Sequence, residues 1–126
     1  MNEPLVIDRT KWYRGKGSHG SALLRTKDEL MCCLGFCLLQ RGFTSDELAE
    51  VGTPGEVVSV DRMRPDALSK VVGLVDLYDD ESGLLETHVC NQLVDANDDP
   101  DIDDLTRERR ITDLFAKIGV DVTFVN

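Results

Sequence analysis

The sequence predicts an α+β fold: a central buried helix, several amphipathic helices around it and a small β-sheet. Three observations lead there. The run Leu30–Leu39 is apolar on every side, which is the pattern of a helix enclosed by other elements. Several later segments place apolar residues at helical spacing. Short apolar runs at the two ends, Leu5-Val6-Ile7 and Val120–Phe124, read as strands. The chain has 126 residues, 41% of them hydrophobic, which suits one globular domain over residues 1–126.

Taking the elements in order, Asp8 or Thr10 is placed to cap a helical turn carrying Trp12 and Tyr13. Arg14–Gly20 holds three glycines and reads as a loop. Asp28 and Glu29 suit the N-terminus of the central helix, and Arg41 with Gly42 its end. Ser45 is the candidate cap of a second helix over Asp46–Val51, and Glu56–Val60 a short strand. After Pro65, the spacing of Leu68, Val71, Val72, Val75 and Tyr78 predicts a helix. Leu85, Val89, Leu93 and Ala96 predict another. Asp101 or Asp103 caps the last helix, whose apolar stripe is Leu105, Ile111, Leu114, Phe115 and Ile118, with Gly119 closing it. The strands from the N-terminus, the middle and the C-terminus would share one sheet. An exposed edge at Val120–Val125 could support a homo-oligomer. Leu74–Asp80 is echoed at Leu93–Asp99, as two helices ending in acidic loops would be.

The net charge is −10, which disfavours direct contact with nucleic acid or an anionic membrane and favours basic partners. The charges are segregated. Met1–Lys27 holds six basic and two acidic residues; Asp76–Asp104 holds eleven acids and no Lys or Arg. The molecule is bipolar if the two segments lie apart. No apolar run approaches the roughly 20 residues of a membrane span, and the N-terminus lacks the order of a signal peptide. The expected location is cytoplasmic.

Four cysteines, two of them adjacent in the apolar helix, do not resemble a secreted disulfide framework. Cys33 and Cys37 share a helix face, and Cys90 with His88 or His19 would have to complete a zinc site. The apolar surround favours packing instead, because an unpaired thiolate there is costly. On a helix His88 and Cys90 point apart; only a strand would make them a nucleophile and base. Asp95–Asp104 resembles a calcium loop in composition, but Pro100 stands where glycine is required and Thr106 where glutamate belongs. Metal and cofactor are therefore not expected, nor is enzyme activity, since no catalytic constellation is present.

Two candidate surfaces remain. Trp12, Tyr13, Arg14, Lys16 and His19 could hold a nucleotide-like small molecule by stacking and phosphate contacts. Alternatively, Trp12 anchors the N-terminus on the core and the basic residues balance an acidic body. Asp79, Asp80, Asp98, Asp99, Asp101 and Asp103 could bind the basic surface of a partner protein.

Trp12-Tyr13-Arg14-Gly15, Leu23-Leu24 and Met31-Cys32-Cys33-Leu34-Gly35-Phe36 resemble small hypothetical proteins of bacteriophages and prophages that carry W-x-R-G and MCCLGF elements. The segment from Asn97 through Arg107-Glu108-Arg109 to Val122 is similar to endings common among them. The resemblance covers about half the chain, and carries over no activity or catalytic residue. It implies a phage accessory protein in the bacterial cytoplasm that binds a host factor, including components of host defence.

Overall fold

The computed structural model describes residues 3–17, 21–55, 57, 70–77 and 84–126. It is an α+β fold. In chain order the elements are β1 (Leu5–Asp8), a 3-10 turn (Arg9–Lys11), α1 (Cys33–Gln40), α2 (Ser45–Leu48), β2 (Val75–Leu77), β3 (Leu84–Glu86), α3 (His88–Asp98), α4 (Asp104–Ala116) and β4 (Val122–Val125).

The apolar run places α1 at the centre, with Cys33, Leu34, Gly35, Phe36, Cys37 and Leu38 buried. Gly35 is required there: a Cβ would overlap the carbonyl of Leu23, whose strand-like segment lies against the helix. The helix starts later than its composition suggests. Asp28 does not cap it but accepts from the backbone N–H of Leu30, and Glu29 adopts φ 62°. Met31 then pairs with the chain at Trp12, its N–H donating to Lys11 and its carbonyl accepting from Tyr13. A capturing Asp side chain and a left-handed residue both stop helix growth.

Thr44, not Ser45, caps α2. Only Thr44 has a glutamate three residues on, and Thr44 and Glu47 form a reciprocal capping box. The predicted helix to Val51 stops at Leu48, because Ala49 bridges to Leu24 and Glu50 takes φ 59°. The expected strand at Glu56–Val60 falls outside the described residues except at Val57, whose N–H donates to Thr53 at 3.4 Å in helical fashion. Pro65 and Leu68 also lie outside them.

The two helices expected between Leu68 and Ala96 are corrected. Gly73, at φ 87°, breaks the first, and Val75–Leu77 pairs instead with Leu84–Glu86 as an antiparallel ribbon. Thr87 caps the second by accepting from Cys90, so it begins at His88 and Leu85 belongs to a strand. The echo of Leu74–Asp80 in Leu93–Asp99 is therefore not structural: one copy runs into a strand, the other ends a helix. The N-terminal and C-terminal strands share a sheet as expected, while the middle strand expected beside them, Glu56–Val60, lies outside the described residues except at Val57. β1 and β4 form a parallel pair, Leu5 opposite Val122, separate from β2 and β3. β1 occupies one edge of β4. Arg9 ties β1 to α4 through two 2.8 Å bonds to Glu108 and lies over the Phe124 ring.

On α4, Ile111 and Phe115 face the core as expected. Leu105 does not; it is 69% exposed, and the inward position of the first turn goes to Arg107. Among the described residues no helix is long and apolar enough to cross a membrane.

Candidate functional site

The connection between α3 and α4 is built around Arg107, which is only 3% exposed. Its Nη1 donates to the carbonyls of Ala96 at 3.0 Å and Asp99 at 2.7 Å, and Nη2 to Ile102 at 2.9 Å. A cation here meets the partly negative end of α3 and satisfies carbonyls that the helix leaves open. Nε lies 3.4 Å from Asp104 Oδ1, and that pair is partly exposed. From outside, Asp99 accepts from the N–H of Asp101 and Asp103 caps α4 by accepting from Thr106. The hydrogen bonds to Thr106 hold the Asp103 carboxyl below its ordinary value. Sequence reasoning missed Arg107. Its signal was position: it stands i, i+4, i+8 with Ile111 and Phe115 on one face.

The basic loop lies directly on this connection. Gly15 donates its N–H to the Asn97 carbonyl at 2.8 Å, and Gly17 to Asp98 at 2.7 Å. Gly15 has φ 71°, and a Cβ on it would sit 2.8 Å from Arg107 Nη2, so glycine is needed on both counts. Arg14 stacks over Trp12 at 4.5 Å and pairs with Asp104 at 3.3 Å. Burial works to raise the Asp104 carboxyl, but Arg14, with Arg107, outweighs it and holds it low. The two oppositely charged segments are thus not the separate poles that bipolarity required. What joins the basic loop to the described end of the acidic segment is mainly backbone, Gly15 and Gly17 on the carbonyls of Asn97 and Asp98, with the Arg14–Asp104 pair beside them.

Asn97 joins them at the core. Its Oδ1 accepts from Trp12 Nε1 at 2.7 Å and from the Cys33 N–H at 3.0 Å; its Nδ2 donates to Tyr13 and Asp98. Cys32 occupies the cap position of α1 without a side-chain capping bond, and Asn97, from another helix, accepts from the helix's first N–H, that of Cys33.

These contacts relocate the expected ligand residues. Trp12 is 3% exposed and presents no stacking face; it anchors the N-terminus on the core, packing against Phe124. Tyr13 is half-buried under Arg25, whose guanidinium lies 3.9 Å from the ring centre. Arg14 is committed to Asp104, Lys16 is exposed, and His19 falls outside the described residues. The depression beside this loop, about 450 Å³, is lined by Asp104 as well as Arg14 and Lys16, which weakens any pull on phosphate.

The expected partner contacts divide. Asp79 and Asp80 lie outside the described residues. Asp98, at 8% exposed, is corrected: it faces inward and accepts from Ser21 and Asn97. Burial raises its carboxyl above the ordinary value despite those bonds. Asp99 is half-buried, whereas Asp101 and Asp103 are exposed.

All four cysteines are buried and unbridged. Burial pushes the Cys32 thiol up to about 11 and raises Cys33 and Cys37 as well. Such thiols are poor nucleophiles at neutral pH. His88 is exposed on α3 while Cys90 is buried, so the two point apart. No group of His, Cys, Asp and Glu among the described residues has the arrangement of a metal site.

No protein-family model matches the chain, no curated protein matches it in sequence, and no solved structure matches it.

Proposed function

We propose that this chain is a non-enzymatic accessory protein that binds a basic surface of another protein through the α3–α4 connection. One observation carries the reading. The buried Arg107 fixes that connection from within, while Asp101, Asp103 and the 69% exposed Leu105 are turned outward. Binding surfaces work by an apolar anchor inside a polar rim, and a segment already ordered loses less entropy on docking. Leu105 is the anchor, and Asp99, Asp101 and Asp103 are the rim. Asp104 contributes less because Arg14 already neutralises it. The likeness of the Trp12–Gly15 and Met31–Phe36 elements to small phage proteins favours a host protein as the partner, a defence component among the candidates.

The test is capture from bacterial lysate on the immobilised chain, with Asp101→Lys/Leu105→Lys as the control. The wild type should retain a protein at low salt that is released at high salt, and the variant should not. Equal retention by both would refute the assignment of the surface.

The alternative, a nucleotide-like ligand on the Trp12–Gly20 loop, has lost its main stacking group to the core. Thermal unfolding with a nucleotide panel tests it: a ligand at 100 times its Kd adds about 2.7 kcal/mol.

A further inference from the structure

We propose that the groove between α3 and α4 docks a second copy of this chain about a twofold axis. The groove encloses about 430 Å³ and is lined by two rows of identical spacing. Along α3 and its capping residue, Asp95, Ala96 and Asp99 stand at i+3, i+4 and i+7 from Gln92; along α4 and its capping residue, Asp113, Leu114 and Lys117 stand so from Arg110. Ala96 and Leu114 form an apolar floor. The α3 wall carries two carboxylates, and the α4 wall two cations with Asp113 between them.

Asp95, Arg110, Asp113 and Lys117 are exposed, and among the described residues their side chains form no ion pair or hydrogen bond. Opposite charges that face one groove and stay unpaired are available to a partner. A twofold axis sets α3 of one copy against α4 of the other, and the same operation makes the reciprocal contact. Each acidic row then faces a basic row twice across the apolar floor. A partner of single charge would satisfy one wall and be repelled by the other.

The size of the face sets the strength. At about 1.5 Å per residue, α3 is roughly 16 Å long and α4 roughly 20 Å. A two-helix patch of that length offers less than the roughly 800 Å² per partner of a standard interface. Asp113 lowers the net charge of the basic row. The dimer is therefore weak, and because each copy carries a net charge of −10 it needs enough salt to damp the repulsion between whole molecules.

The experiment is sedimentation equilibrium of the purified full chain at about 0.15 M salt, where a screening length of about 8 Å damps repulsion between whole molecules but spares pairs in contact. The wild type should dimerise under these conditions, and less at about 0.01 M salt, where a screening length of about 30 Å leaves the repulsion between two copies of charge −10 in force. Asp95→Lys and Arg110→Glu/Lys117→Glu should each lose about tenfold or more in self-association. Mixed together they should form a heterodimer, because the new lysine meets the new glutamates and the native rows still match. Asp101→Lys/Leu105→Lys, the control of the partner-binding reading, should dimerise like the wild type, so the two proposals fail separately. Circular dichroism confirms that each variant is folded; if a reversal is not, Asp95→Asn and Lys117→Gln should each weaken the dimer severalfold. A wild type that stays monomeric at about millimolar concentration in about 0.15 M salt overturns the proposal. So does a dimer that no folded groove variant weakens, or a pair of reversal variants that does not recombine.

Discussion

The side-chain oxygen of Asn97 lies 2.7 Å from the indole Nε1 of Trp12 and accepts its hydrogen bond inside the core. The same oxygen accepts from the first N–H of the buried helix, and the same residue's N–H groups hold Tyr13 and Asp98. One amide thus fastens the N-terminal segment, the central helix and the end of α3 at a single point.

Asn97→Ala should be strongly destabilising, since it strands the Trp12 indole and the Cys33 N–H without acceptors. At about 1–3 kcal/mol for each unsatisfied buried group, a loss of roughly 2–5 kcal/mol is expected. Urea unfolding followed by Trp12 fluorescence measures it.

Arg107→Met and Arg14→Ala should separate sharply. Arg107 is buried on several carbonyls, and its loss should cost about 3–5 kcal/mol and speed amide exchange across residues 99–103. Arg14 makes a partly exposed pair with Asp104, and its loss should cost about 1 kcal/mol or less. Arg107→Lys should not restore stability, because one ammonium cannot reach carbonyls that the planar fork spans.

Asp98 sets a pH dependence of unusual sign. Its folded carboxyl titrates above the ordinary 3.8, so the folded state binds the proton more tightly than the unfolded state. Its contribution to stability is greatest below 3.8 and declines as pH rises through the folded value. Asp98→Asn keeps an acceptor for Ser21 without the buried charge. It should raise Tm at neutral pH, with the gain shrinking on acidification. Asp103 and Asp104 run the other way: their carboxyls are held low, so their stabilisation is present above 3.8 and lost as pH falls through the folded values. Melting curves of wild type and Asp98→Asn across the acid range resolve the two trends.

The cysteines should be unreactive in the folded protein. Iodoacetamide at neutral pH should label none of the four in native buffer and all of them in urea, read by intact mass. Prompt labelling of Cys32 in the native protein would show that the cavity beside Ser21 and Asp98 opens to solvent.

What the sequence disclosed follows from which signals are local. The apolar run of α1, the Asp103 cap and the terminal strands are written in neighbouring residues, and all were legible. Val71, Val72 and Val75 fit helical spacing, yet a glycine at 73 and pairing with residues 84–86 made a ribbon, because strand pairing is set by a remote segment. Leu105 gives up its expected place on the inward face to Arg107 for a similar reason. An arginine can occupy a core position only when a helix end and a loop converge on it with carbonyls. The same holds for the site. Trp12 and the acidic run stand out in the sequence, but their association through Asn97 spans most of the chain and leaves no local mark.

The parallel pairing of β1 with β4 also bears on how the protein comes into being. β1 precedes and β4 follows every other described element, so Leu5 and Ile7 lack their strand partners until Val122 and Phe124 have been synthesised. Contacts between such distant positions form slowly, since a long loop must close before they are gained. During translation the apolar α1 segment and β1 leave the ribosome long before their cover exists. The apolar faces of β1 and α1 thus stay uncovered until the segments that form α3, α4 and β4 have been made, and their packing closes late.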